Sequence, residues 1–292
     1  MVKPQARRVS FGYRVLVVIS YLALAIAAAT SLFPLYAMTL ASLRTIRDIF
    51  KNYWPTNLTL QNYSDLFSTG RDIPISGQVI LNFNTPFLRT FLNSLGVGLA
   101  YTLLAIILCS MAGFVFAKFR FPGRNLLFLS VLFTMMIPPA VTLIPLFYIM
   151  RDIGWIDSYL ALVVPLAANA FGVFWMRQYM QSLPSELLDQ DRIDGCSSLG
   201  LFWRIALPLS RPALGVLAII LFITSWSDFL WPLVVLRSEA LYTMPVFLSV
   251  VEGAASRLNP LTMAGSVVAT LPIIGIFLIF RRQLINGLTL GR

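Results

Sequence analysis

"FLNSLGVGLAYTLLAIILCSMAGFVFA", residues 91 to 117, runs without a single Asp, Glu, Lys or Arg. A helix of about 20 apolar residues crosses the roughly 30 Å hydrocarbon core of a bilayer, and this stretch exceeds that length. Lipid offers no water to backbone N–H and C=O groups, so a spanning segment must be a helix or part of a closed barrel. Barrel strands alternate polar and apolar residues, and this run does not. It reads as a transmembrane helix.

Four other runs are equally free of charge, 15–41, 126–150, 160–176 and 261–280, and a fifth, 213–236, carries one acid, Asp228. The whole chain of 292 residues is 58% hydrophobic and 12% charged, with a mean hydropathy of +0.80; soluble domains carry about a quarter charged residues. The expectation is an all-α polytopic membrane protein of six transmembrane helices, a single domain over residues 1–292 with no soluble module. The first run follows basic residues and contains "ALAIAAAT", as a signal peptide would, but it continues through "SLFPLYAMTLA". That is longer than a signal core, so it reads as a retained first helix.

The net charge of +10 would suit nucleic acid, so its position matters. With six spans, the tails and even-numbered loops share one side. That side holds 14 of the 22 basic residues and four acids, an excess of ten; the other holds eight basic residues and seven acids, an excess of one. This asymmetry is the positive-inside pattern and places both termini in the cytoplasm. No nucleic-acid partner is needed to explain the charge; membrane lipid is the surrounding partner. The chain has no histidine and two cysteines, Cys109 in a span and Cys196 in an inner loop. A disulfide framework, a metal site and a histidine-based catalytic group are therefore not expected.

Prolines mark where spans should yield. Pro138, Pro139 and Pro145 fall in the third run and should bend or interrupt it; Pro165, Pro232 and Pro272 fall in later ones. Pro122-Gly123 marks a tight inner turn. The inner segment 177–212 is the most informative loop. Within "SELLDQDRIDGCSS" (185–198) the charged residues Glu186, Asp189, Asp191, Arg192 and Asp194 crowd together. Ser185 with the acids behind it is a helix start, and Gly195 breaks that helix. A second helix then carries Leu199, Phe202, Trp203 and Ile205 and ends at Pro208. A charged and apolar patch on an inner loop reads either as a docking surface or as an amphipathic helix lying on the membrane face. Two intramembrane polar groups stand out. Asp228 lies between Trp226 and Trp231, a pairing that suits a sugar's hydroxyls and CH face. An acid inside a span is costly and marks a functional site by default, although it also reads as a helix cap or a partner contact. Asn169 in the fourth run reads first as a helix–helix hydrogen bond.

"LPSELLDQDRIDGCSSLGLFWRIALPLSRPAL" (183–214) resembles the cytoplasmic coupling motif of binding-protein-dependent ABC transporter permeases, in their carbohydrate, maltose-type branch. The family pattern is Glu-Ala-Ala, three residues, Gly, then a spacer before hydrophobic-Leu-Pro. Here Asp189-Gln190-Asp191 replaces Glu-Ala-Ala, Gly195 is in place, and Ala206-Leu207-Pro208 closes the motif. "FLNSLGVGLAYTLLA", "AKFRFPGRNLLF", "MMIPPAVTLIPLFYIMRDIGWIDSYLALVVP", "SWSDFLWPLVV" and "NGLTLG" are similar to the same branch, so the resemblance covers nearly the whole chain. It implies a type I ABC importer permease (MetI-like) fold in a prokaryotic cytoplasmic membrane, moving a sugar or sugar derivative.

It also implies the partners: a second homologous permease subunit, two copies of a cytoplasmic ATP-binding subunit, and an extracytoplasmic solute-binding protein. Under this resemblance Glu186, Asp189, Asp191, Arg192, Asp194, Gly195, Leu199, Phe202, Trp203 and Pro208 form the ATPase-coupling surface. Asn169, Trp226, Asp228 and Trp231 are the candidate pathway residues. The chain has no Walker sequence "GxxxxGK[ST]" and no expected catalytic residue or bound cofactor; ATP-Mg belongs to the partner. The alternative is a stand-alone ion- or proton-coupled carrier, which usually holds more intramembrane ionisable groups and internal repeats than this chain offers.

Overall fold

In a computed structural model, residues 11–51, 55–68, 73–75, 78–81, 87–184, 195–254 and 259–289 are described. The chain groups into two compact units: Met1–Leu66 with Ser256–Val268, and Phe67–Ala255 with Ala269–Arg292.

In the first unit, α1 (Phe11–Ser42) is an apolar helix exposed along nearly all its length. A polar cap closes its end. Arg44 pairs with Leu58 in an isolated bridge, and its guanidinium donates to Asp48 Oδ2 and to the Asp48 carbonyl, both at 2.7 Å. Asp48 belongs to α2 (Ile46–Lys51). Asn62, in α3 (Gln61–Phe67), donates to the carbonyls of Ser42 and Arg44 at 2.7 and 2.9 Å. These bonds meet the carbonyl groups left over where the helix stops.

In the second unit a two-stranded antiparallel hairpin, β1 (Ile73–Ile75) and β2 (Gln78–Leu81), precedes α4 (Phe87–Lys118), an uninterrupted 32-residue helix. Around α4 lie α5 (Arg124–Thr134), α6 (Pro139–Asp152), α7 (Tyr159–Ala167) and α8 (Ala170–Gln181). These are followed by α9 (Ser198–Leu209), α10 (Arg211–Trp226), α11 (Leu230–Val235) and α12 (Met244–Ala254). The last helix, α13 (Pro260–Thr289), begins in the first unit and ends in the second.

Small residues let α4 meet its neighbours at backbone distance, as in membrane helix packing generally. A methyl group on Gly113 would lie 2.7 Å from Met176 Cβ, and one on Gly172 would lie 2.6 Å from Cys109 Sγ. Tyr101, Cys109, Phe114, Met176, Met180, Phe202 and Leu217 close the core around this crossing. A second cluster joins Val97 and Leu162 with Met150, Trp231 and Val235.

Among the described residues three helical stretches are long and apolar enough to cross a membrane unbroken, Val15–Ser42, Phe87–Lys118 and Pro260–Phe280; three bent pairs bring the number to as many as six. The third predicted run breaks where its prolines said it would. Pro138 is the N-cap of α6, Pro139 opens it, and α5 and α6 meet at 99°. Pro145, Pro165 and Pro272, in contrast, sit inside intact helices. The fourth run, expected as one helix, bends by 42° between α7 and α8 at Ala168-Asn169. The predicted fifth run 213–236 needs the largest correction. Its helix ends at Trp226, Ser227 to Phe229 leave helical form, and α11 is a separate short helix. The helix-cap reading of Asp228 was the sequence signal for this break: its carboxylate lies against the Phe229 and Trp231 N–H groups that open α11.

Candidate functional site

Two places collect the predicted residues. The first is the inner loop. Glu186, Asp189, Asp191, Arg192 and Asp194 lie outside the described residues. Gly195 has φ +82°, the left-handed region that strains any residue with a Cβ. Beyond it Ser197 caps α9, its hydroxyl accepting from the Gly200 N–H at 3.2 Å. The helix widens into a π turn over Phe202–Ala206 and closes with Pro208 in its last turn. Ser210 alone joins α9 to α10, and the two helices meet at 80°.

The two sides of α9 differ. Leu199 is 57% exposed and Trp203 46%, whereas Phe202 is 2% exposed. The Phe202 ring lies 5.6 Å from that of Phe114 in the core below α4. Phe202, expected on the docking surface, instead anchors the helix to the chain, because its apolar face is already spent inside. An apolar cleft of about 240 Å³ opens beside it, between Met111, Phe114 and Val115 of α4 and Ser198 and Leu199 of α9. Near α9, Lys118 Nζ at the end of α4 donates to the Leu183 carbonyl, just past α8, at 2.6 Å.

The second place surrounds the helix break at Asp228. The carboxylate is half-buried and lies against the N–H groups of Phe229 and Trp231, at the start of α11. It shares a cavity of about 40 Å³ with Tyr101 of α4, Leu162 and Leu166 of α7, Thr224 and Ser225 of α10, and Thr243. Tyr101 connects this cavity to the other break, since the Asn169 amide donates to the Tyr101 hydroxyl at 3.4 Å. Asn169 Oδ1 in turn accepts from the Gly172 N–H at 2.9 Å and caps α8. The Cys109 thiol donates to the Asn169 carbonyl at 3.3 Å. Asn169 and Asp228 are thus brought together through Tyr101, a residue that sequence reading passed over. Its position ten residues into an apolar run offered no local signal.

The two tryptophans are placed differently from expectation. Trp226 is 3% exposed and donates from Nε1 to the Ala269 carbonyl at 3.0 Å; Trp231 is 6% exposed and donates to the Ala161 carbonyl at 2.9 Å. Trp226 also stacks on Phe222, with ring centroids 5.6 Å apart. Both indoles are buried with their N–H groups committed to backbone carbonyls. Among the described residues no cluster of three or more His, Cys, Asp or Glu could hold a metal.

Spanning helices, broken spans with polar groups at the breaks, and an inner loop helix with an exposed apolar pair define a helical membrane permease. Residues 105–285 match the family described as binding-protein-dependent transport system inner membrane component, and the chain belongs to it. It is 37% identical over 265 residues to the arabinooligosaccharides transport system permease protein AraQ of Bacillus subtilis, covering 89% of each chain. It is 30% identical over 271 residues to the lactose transport system permease protein LacG of Rhizobium radiobacter, covering 93% and 94%. Similarity to the sn-glycerol-3-phosphate transport system permease protein UgpE of Yersinia pestis is 31% over 263 residues, covering 88% and 90%. The fold matches a chain of a bacterial ABC transporter involved in the import of the acidic polysaccharide alginate, at TM-score 0.78 and 20% identity over 94% of this chain and 98% of that one. The chain is a transport component, not an enzyme.

Proposed function

We propose that this chain is one of two permease subunits of an ATP-driven, binding-protein-dependent importer of a sugar or sugar derivative. Its family is one of binding-protein-dependent transport components, and relatives at 30–37% identity are named for arabinooligosaccharides, lactose and sn-glycerol-3-phosphate. Three unbroken spans, the bent pairs α5–α6 and α7–α8, and α10 with α11 support six transmembrane helices, with α9 left outside them, and the charge asymmetry supports cytoplasmic termini. The partners are a second permease subunit, two ATP-binding subunits that hold ATP-Mg, and an extracytoplasmic solute-binding protein. A neighbouring solved structure, at TM-score 0.63, is a bacterial alginate ABC transporter in complex with an alginate pentasaccharide-bound periplasmic protein.

The observation that carries the reading is α9: an exposed Leu199–Trp203 pair on a helix pinned to α4 by Phe202. Such a helix presents apolar area to a partner and passes that partner's movement to the core. Glu186, Asp189, Asp191, Arg192 and Asp194 supply the charged contacts of the same loop, and the Gly195 turn sets the angle at which α9 is offered. Rigid-body rocking of the two permease subunits then alternates access. The cavity at Asp228, joined through Tyr101 to Asn169, faces the pathway, while Trp226 and Trp231 shape its wall from behind.

The test is affinity purification of the tagged chain in mild detergent from its native cell, followed by mass spectrometry. Recovery of a second permease, a Walker-motif ATPase and a solute-binding protein is the expected result. Gly195→Pro is expected to release the ATPase and retain the second permease. A chain that purifies alone and transports when reconstituted alone would overturn the reading in favour of a stand-alone carrier.

A further inference from the structure

Asp228 is an acid among apolar helices, and among the described residues no cation pairs with it. Its cavity nevertheless has a consistent chemistry. Thr243 is 5% exposed, lines the cavity, and its Oγ1 has no hydrogen-bond partner among the described residues. Buried polar groups are normally satisfied, so an unpaired hydroxyl facing a carboxylate across a shared space points to something that fills the space. Thr224 Oγ1 is occupied with the Ile220 carbonyl at 2.8 Å, which leaves Thr243, Tyr101, Ser225 and Asp228 as the polar groups that recognise it. Thr224, which lines the cavity, is exposed, and intramembrane polar residues face a bundle interior or a water-filled cavity, not lipid.

Size and hydrogen-bond sense narrow the occupant. One water-sized group needs on the order of 10–15 Å³, so a cavity of about 40 Å³ takes one or a few such groups and excludes a sugar ring. A hydroxyl both donates and accepts: it can donate to the Asp228 carboxylate and accept from Thr243. An anionic oxygen brings no proton and meets a like charge in a low-dielectric setting.

Resting on the sugar-import reading above, we infer that the Asp228–Thr243–Tyr101 cavity is a subsite for a single neutral hydroxyl group of the cargo, and that it selects neutral sugars over uronates and sugar phosphates. Water takes the same position between turnovers. The subsite predicts a preference opposite to that of systems named for anionic cargo, one of whose permeases is 31% identical to this chain.

The test uses the complete importer in proteoliposomes with its own binding protein. Two oligosaccharides of equal length are supplied, one neutral and one carrying a uronate, each first shown to bind that protein. The intact importer is expected to move the neutral sugar at least about tenfold faster, the factor that 1.4 kcal/mol of charge repulsion gives. Asp228→Asn is expected to bring the ratio close to one. Thr243→Val removes only the hydroxyl and is expected to lower kcat/KM for the neutral sugar about fivefold, with assembly checked by size-exclusion chromatography. Equal transport of both sugars by the intact importer, or a ratio unchanged in Asp228→Asn, would overturn the subsite while leaving sugar import standing. Transport of neither sugar by an assembled, ATP-hydrolysing complex would overturn the import reading itself, and the subsite with it.

Discussion

Phe202 and Trp203 are neighbours in sequence with opposite duties. A run of large apolar residues on a loop cannot reveal which ones face inward, because the π turn at Phe202–Ala206 changes the residues that share a face. The direct consequence is a pair of substitutions with opposite signatures. Phe202→Ala should cost about 3–5 kcal/mol, as burial at 2% exposure implies, and appear as a lower Tm and poor yield of the purified chain. Trp203→Ala should leave the Tm within about a degree, since surface changes are usually within about 0.5 kcal/mol. It should instead weaken capture of the ATPase in a pull-down. A Trp203 variant that unfolds, or one that retains full capture, would refute the division of roles. Gly195 was readable from sequence as a turn, and its φ of +82° gives that reading its physical basis.

At the scale of elements, the sequence marked helices well and breaks unevenly. Pro138-Pro139 announced the bend between α5 and α6, but its angle of 99° depends on packing that no local rule encodes. Asn169 makes the helix–helix bond expected of it, to Tyr101 of α4, but that reading did not reveal that its side-chain oxygen also caps α8 at a break. Asn169→Ala should cost about 1 kcal/mol as a lost cap, read as a Tm decrease that Asn169→Asp or Ser largely restores.

Outside the spans, Asp157 fastens the loop between α6 and α7 to the segment after α11. In a left-handed conformation, φ +61°, it accepts from the Ser238 hydroxyl and from the N–H groups of Ser238 and Arg237 at 2.9 and 2.8 Å. These bonds, the Ser238 hydroxyl first, hold its carboxyl below the ordinary aspartate range. The folded pKa lies below the unfolded one, so this stabilisation is complete above about pH 4 and fades as pH falls through the lower, folded value. Asp157→Asn should lower the Tm at pH 7 slightly and show a shallower loss below pH 4 than the unsubstituted protein. Identical acid limbs in the two proteins would sink the clasp.

Across the whole molecule, the charge asymmetry follows from counting residues and needs no packing. It makes a prediction that the two cysteines can check. Cys109 is buried and Cys196 is partly exposed on the inner loop. A membrane-impermeant maleimide should label Cys196 in inverted vesicles and leave intact cells unlabelled, with Cys109 reacting only after denaturation. Labelling of Cys196 from outside would reverse the topology. The docking geometry was not readable from sequence, since it rests on the angle at one joint. Ser210, completely buried, turns both its hydroxyl and its N–H back onto the Ala206 carbonyl, at 2.7 and 3.0 Å, so the corner between α9 and α10 is internally braced. A braced corner makes the two helices a bell-crank. The 16-residue arm of α10 is about 24 Å long, so a 10° turn applied at Trp203 sweeps its far end, beside Asp228, by about 4 Å. The pair therefore has leverage but little slack, and stiffness at one serine sets how much of a turn applied to α9 arrives beside Asp228.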